Sequence, residues 1–504
     1  MTSLMCALAV AATLRPQLEA VAKLPGEPST VAAAGITKAE APILTIENAS
    51  AFDPRVAKRR LVIVGDGDAA ADAVVAAVRW VKTTAPAVIR RQWIVSAMPE
   101  APPDPTDPLA LGRWITFQAP DLVVEVGTGG VIRVAGVPTE TIPAAGAVAA
   151  LRKLLAGGAR GQSQLHSTIA ARLQRAPLDI ARLLAHKYPV TPIISYIPAV
   201  SWVNTLRLAM VTGDASLKQK VHEQIAPWLS GEKKLFGDRV QLTAVAGTMI
   251  FDAFASEGED ARFPRADQAA IRLADQGGQL AAAERSPGVF QYGGGWTDDM
   301  FMAGSVLART GRWHDREHDL DTAARVLAAY AERLQRGDGL FNHATDGPHA
   351  WGRGNGFAAL GLMEVLAALP TAHPARGKLL DVYRREMAAV RAQQSPDGAW
   401  RQIIDDPASY REESATAMLL TAMARGARLG WIDRSYAPSI ERAWRALAAH
   451  VADDGTVIDV CTSTGGGPTR RYYFDRQAIT GADDRGGAMA LLASMEMYDF
   501  SRIR

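Results

Sequence analysis

Cysteine is almost missing from this chain. Cys6 and Cys461 are the only two in 504 residues, too few for a disulfide framework, and neither belongs to a cluster with metal-ligand spacing. No metal site is expected. A surplus of one charge is lacking as well: 55 Lys and Arg stand against 53 Asp and Glu, a formal net charge of +2. With no basic stripe and no acidic tail, nucleic acid is not an implied partner. Beyond residue 14 no run is long and apolar enough to span a bilayer, so no integral membrane segment is expected. Nucleotide fingerprints are missing too. The Gly-rich turn after the first clear strand reads GDGD, residues 65–68, which is neither GxGxxG nor a P-loop, and its acids would repel phosphate. No cofactor is implied.

What is present suggests two domains, the natural division of a chain this long. At the N-terminus "LMCALAVAATL", residues 4–14, has the length of a signal-peptide core, with small residues suited to cleavage after Ala11. It lacks a basic flank. The expectation is a periplasmic or secreted protein, with a cytoplasmic one as the alternative. Residues 1–57 then read as this segment followed by a Pro-, Ala- and Thr-rich tail.

Residues 58–160 read as a small α/β domain. "RRLVIVGDGDAAADAVVAAVRWVKTTAP" spells strand, turn and helix; "RRQWIVSAMPEAPPDP" and "DLVVEVGTGG" add two more strands. Buried β-branched runs separated by a helix predict a mostly parallel sheet. The layout resembles zinc carboxypeptidase-type domains, whose first turn carries metal ligands. Here that turn holds Asp66, Gly67, Asp68 and Ala69, without His or Glu. A non-catalytic role is expected.

Residues 176–504 change character. Helical patterns follow at about 177–188, 198–211, 215–228, 240–255, 264–284, 297–309, 319–335, 355–368, 375–392, 412–428, 437–450 and 484–498. Those beginning near 240, 297, 355, 412 and 484 are small and apolar nearly all round, as in "MFMAGSVLA" and "SATAMLLTAMA". The helices between them carry a charged face. A helix apolar all round is buried, and one with a charged face lies outside. Inner helices recurring at intervals of about 57 residues predict a toroid of helical hairpins. The fold class expected is therefore mainly α: an (α/α)6 six-hairpin barrel preceded by a small α/β domain. An open superhelix is the alternative.

Before each inner helix the text turns glycine-rich, aromatic and polar: "GGGWTDD", "HAWGRGNG", "DDPASYREES" and "STGGGPTRRYYFDRQAITGADDRGG". Inner helices of such a barrel run parallel, so these stretches converge at one mouth. Acids, arginines and aromatics gathered on a concave surface point to binding or catalysis. One acid at a helix N-terminus is ordinary capping. Two, Asp298 and Asp299, behind three glycines and beside Trp296, ask for more.

These stretches resemble glycoside hydrolase family 105, the unsaturated rhamnogalacturonyl hydrolases, and more distantly the family 88 unsaturated glucuronyl hydrolases. "WTDDMFMA" is similar to a WMDGLYMA-type motif, "GLFNHATDG" to GLxxHxxD, and "WGRGNGFAALGLMEVLAALP" to WGRGNGWxxxALVDxLxxLP. The resemblance covers about residues 195–500. It implies Asp298 as the catalytic acid, with His343, Trp351 and Arg353 in the substrate pocket. Asp299 stands where the family has Gly, and Phe357 where it has a second Trp. The acid expected near the helix at 240 is replaced by Thr243, with Asp238 nearby.

The activity so implied is removal of a 4,5-unsaturated uronyl residue from a lyase-generated oligosaccharide. Protonating C4 of the enol ether makes C5 an oxocarbenium-like centre that water attacks, so one acid suffices. Burial near Trp296 and repulsion from Asp299 would raise the acid's pKa, against the helix N-terminus. Arg353 would grip the uronate with forked donors, while Trp296, Trp351 and Phe357 offer apolar faces. Tyr472 would join the pocket from the last mouth loop, where Arg471 and Tyr473 are further candidates. Glu412 and Glu413 read as helix N-terminal acids. The alternatives are a non-catalytic carbohydrate-binding barrel, or a sugar isomerase using His343 and His349.

Overall fold

The computed structural model describes residues 14–503 apart from 38–40, 54, 67–69, 102–109, 131, 158–160, 257–263 and 314–315. Most of the signal-like stretch, as well as Asp68, lies outside the described residues. The chain forms two compact units. The first comprises residues up to 174 with two short pieces, 395–398 and 406–410; the second holds the remainder.

The first unit is a sheet covered on both faces. Its strands are β1 (Ser29–Ile36), β2 (Pro42–Asn48), β3 (Arg59–Asp66), β4 (Trp93–Ala101), β5 (Leu122–Val126) and β6 (Thr139–Ile142), in the order β1-β2-β4-β3-β5-β6. The β4-β3-β5-β6 part is parallel, as the β-branched runs predicted, and β1 and β2 add an antiparallel edge. Alternation along β3 sends Leu61 and Ile63 into one core, with α1 (Ala71–Thr83), and Val62 and Val64 into the other, with Trp114 and Ile115 of α2 (Ala110–Gln118).

Two expectations are corrected here. Residues 17–57 are not a tail, since they contain β1 and β2; the alanine-rich "STVAAAGI" has little strand propensity and is held by its pairing with β2. The unit also runs past residue 160. Asp121 accepts from Ser163 N at 2.7 Å and meets His166 Nδ1 at 2.8 Å, which fixes α4 (Gln164–Leu173) after α3 (Ala147–Ala156).

The second unit is the barrel. In chain order it contains α5 (Pro177–Lys187), α6 (Tyr196–Thr212), α7 (Ala215–Leu229), α8 (Leu242–Gly247), α9 (Met249–Ser256), α10 (Pro264–Ala281), α11 (Thr297–Trp313), α12 (Glu317–Leu334), α13 (Gly352–Ala368), α14 (Arg376–Ala392), α15 (Glu413–Arg428), α16 (Ala437–His450) and α17 (Asp484–Ser501). The inner ring runs α6, α8/α9, α11, α13, α15 and α17, and α17 packs back on α6, so the ring closes. An open superhelix is excluded by that contact. Small residues let the inner helices approach: a Cβ on Gly361 of α13 would lie 2.4 Å from Met300 O of α11. The expected inner helix near 240 is broken at Thr248 into α8 and α9. The first and last hairpins are also tied by Asp484, which accepts from Val190 N and Thr191 N.

Candidate active site

The two adjacent acids of α11 part company. Asp298 points Oδ2 at His343 Nε2, 3.0 Å away. Asp299 turns back on its own loop, accepting from Gly294 N, Gly295 N and Trp296 N at 3.2, 2.7 and 3.2 Å and from Tyr330 Oη at 2.7 Å. Neighbouring helical side chains diverge by about 100°, so one can face the mouth while its neighbour braces the loop. The glycines before them now have a cause. Gly295 sits at φ +81°, and a Cβ on Gly293 would lie 2.5 Å from Asp299 Oδ2. Burial pushes Asp299 up to about 6; the Tyr330 hydrogen bond opposes this and the charge of Asp298 adds to it. Asp299 is thus a loop anchor.

His343 is fully buried in an aromatic box. Its ring centroid lies 4.6 Å from Trp351, 5.4 Å from Trp296 and 5.6 Å from Tyr473. Nδ1 meets Tyr473 Oη at 2.9 Å. The backbone clasps the loop to α11, because Thr297 N donates to His343 O at 3.0 Å. Asp298, His343, Trp296 and Trp351 are therefore brought together as expected. So is Tyr473, which lies in a short helix, Arg470–Phe474.

Arg353 is placed differently from its expected role. Nη1 donates to Cys461 O and Nη2 to Thr462 O, both at 2.7 Å, with Ser414 Oγ at 3.3 Å from Nη1. Its guanidinium lies 4.9 Å from the centroid of the Trp351 ring. The fork expected to hold a uronate carboxylate is committed to two backbone carbonyls, so Arg353 pins the loop after α16 and supplies positive potential rather than a free fork. Phe357 is core, packed on Phe301, Tyr196 and Trp351. Tyr472 holds its own loop, accepting from Gly465 N at 3.1 Å beneath the Arg476 guanidinium. Arg471 forms a surface ion pair with Asp475.

Glu412 caps α15, accepting from Ser414 N and Ala415 N, and also holds Cys461 N. Asp238 is exposed in the loop before α8, and Thr243 lies within α8. Tyr196 went unrecognised in the sequence. It opens α6, edge-on to Phe357, and burial pushes it up to about 12, with Arg353 opposing and Asp298 adding. Asp483 and Arg485, paired at 2.6 Å, sit at the start of α17 near the same tyrosine. Tyr196 could have been found by applying the mouth rule to the first inner helix as well.

Among the described residues no group of three or more His, Cys, Asp or Glu could hold a metal ion. A separate cavity of about 860 Å³ lies at the C-terminal ends of α15 and α17, lined by Arg428, Trp431 and Phe500 among others. Its Asp433 caps a turn through Ser435 N, so the acid chemistry belongs to the mouth around Asp298.

The site is a buried acid and a buried histidine among aromatic rings at the mouth of an (α/α)6 barrel. The family model for Glycosyl Hydrolase Family 88 matches residues 183–501, and the chain belongs to that family. An unsaturated rhamnogalacturonyl hydrolase of Bacillus subtilis is 30% identical over 177 residues, 34% of this chain and 50% of that protein. An unsaturated 3S-rhamnoglycuronyl hydrolase of an Alteromonas species is 27% identical over 220 residues, 41% of this chain and 52% of that one. The chain thus spans about half the length of these curated relatives. A possible member of family 105 from Salmonella enterica shares the fold with a TM-score of 0.56 at 20% identity, covering 65% of this chain and 94% of the other. A family 105 glycoside hydrolase of C. acetobutylicum matches with the same score at 18% identity, covering 64% of this chain and 100% of the other. None of these likenesses supports the carboxypeptidase-type resemblance of the first unit.

Proposed function

We propose that this protein removes a 4,5-unsaturated uronyl residue from the end of lyase-generated oligosaccharides. The observation that carries the reading is Asp298: a carboxyl whose side chain is only 11% exposed, at the N-terminus of an inner helix, hydrogen-bonded to a buried histidine whose ring packs against Trp296 and Trp351. Asp298 gives its proton to C4, and positive charge develops at C5 and the ring oxygen. Water adds at C5 and returns a proton to the Asp298 carboxylate. The hemiketal opens to a ketone, and the hemiacetal left at C1 expels the next sugar. One residue serves as acid and then base, so the chemistry requires no second acid. The buried Arg353 guanidinium favours an anionic sugar through its field. A periplasmic or secreted location, read from residues 4–14, would place the protein where such oligosaccharides arise.

The test follows the double-bond absorbance of an unsaturated disaccharide panel. Wild type should bleach it. Asp298→Asn, which keeps shape but loses the transferable proton, should be at least about 10²-fold slower. Bleaching by the variant within tenfold of wild type would move the acid elsewhere. Binding without bleaching by wild type would make the barrel a carbohydrate-binding one.

A further inference from the structure

Asp298 is the end of a line of hydrogen bonds whose other end is a backbone amide. Gly467 N donates to Tyr473 Oη at 3.2 Å, Tyr473 Oη meets His343 Nδ1 at 2.9 Å, and His343 Nε2 meets Asp298 Oδ2 at 3.0 Å. The direction of the first bond is fixed, because an amide can only donate. A phenol that accepts there keeps one proton to give, and His343 Nδ1 is its acceptor among the described residues. Burial pushes Tyr473 up to about 12, so that proton stays in place at neutral pH. Nδ1 is then the bare nitrogen, and the ring proton sits on Nε2, facing Asp298.

The geometry points to Tyr473 as a positioning residue that selects the Nε2–H tautomer of His343 and thereby puts the proton of Asp298 on the oxygen that faces substrate. With Nε2–H donating to Oδ2, a protonated Asp298 carries its hydrogen on Oδ1, which has no hydrogen-bond partner among the described residues. In the opposite tautomer Nε2 would be an acceptor. It would draw the acid's proton onto Oδ2 and away from C4. Once the proton has left, the same Nε2–H stabilises the carboxylate as negative charge develops on it, which is when stabilisation counts. The arrangement is built in from a distance. A Cβ on Gly347 would lie 2.4 Å from Tyr473 Oη, so a bare glycine makes room for the phenol. His343 is fully buried, so solvent does not compete for either nitrogen.

The inference rests on Asp298 being the acid of the proposed reaction, but its main test uses no substrate. In uniformly ¹⁵N-labelled full-length protein, His343 is assigned by the signal missing from His343→Gln. Its nitrogen shifts should be those of the Nε2–H tautomer. The Nδ1–H form, or an imidazolium, would overturn the inference. Tyr473→Phe should shift the ring toward the Nδ1–H form and lower kcat roughly 10–100-fold with KM within about threefold, a fraction of the roughly 10⁴-fold that a fully misplaced tautomer can cost. A folded Tyr473→Phe that keeps both the Nε2–H signature and wild-type kcat would also overturn it. If that variant does not fold, the wild-type spectrum still decides. If wild type shows the Nε2–H form but never bleaches an unsaturated uronide, the proposed function fails while the tautomer assignment stands.

Discussion

Glu386 lies on the buried face of α14 between Tyr383 and Val390, fully buried, and neither carboxylate oxygen has a hydrogen-bond partner among the described protein groups. An ionised carboxylate there would be a bare charge in an apolar layer, so burial raises its pKa well above the ordinary carboxylate range. The sign of the consequence follows. The folded chain keeps a proton that the unfolded chain releases above about pH 4.3, so stability is highest at or below that pH and falls as pH rises toward the folded-state pKa. Each pH unit between the unfolded-state and folded-state pKa costs up to about 1.4 kcal/mol, against the 5–15 kcal/mol typical of a domain. Glu386→Met keeps an unbranched chain of similar length and removes the titration. Urea unfolding of wild type and variant at pH 5, 6 and 7 measures the gap between them. The variant should gain on wild type as pH rises, by up to about 1.4 kcal/mol per unit, whatever the other groups contribute, because those cancel in the difference. A gap that does not change with pH would mean that Glu386 is ionised in the folded protein, and the burial argument would be wrong.

Arg353→Ala should lower the melting temperature, because it strands the Cys461 and Thr462 carbonyls at about 1–3 kcal/mol each, and should weaken neutral sugars as well as charged ones, the charged ones more because the guanidinium's field is lost. Loss of charged ligands alone, at unchanged stability, would restore the fork to the substrate. Asp299→Asn places an amide donor against four donors and should cost about 1–3 kcal/mol, more than Tyr330→Phe, which removes one of the four; calorimetry of the two variants checks the order.

Much of the barrel was legible because its information is local. An all-round apolar helix such as α11 or α15 announces its burial in its own composition, and the period of the hairpins announces the ring. The mouth was legible for the same reason: once inner helices are identified, their N-termini must meet. What failed to show depended on partners far along the chain. Strand β1 is alanine-rich and becomes a strand through β2. Arg353 looks like a substrate fork until its carbonyl acceptors appear more than a hundred positions later. Asp298 and Asp299 are adjacent letters whose different tasks are set by which way a helix start is turned, and the pairings of Asp299 with the loop amides and Tyr330 fix that turn.

The closure of α17 onto α6 bears on how the protein is made. Asp298 and His343 come from the middle of the chain, but the tyrosine that orients His343 comes from its last hairpin, and the same hairpin completes the ring. A nascent chain can stack α6 to α15 in order as they emerge, yet the finished site waits for Arg470–Phe474 and for α17 to find the oldest helices. Gly487 marks that final joint: a Cβ there would lie 2.3 Å from the Tyr188 ring. A lesion at this seam would leave the mouth unfinished while most of the helices stood in place.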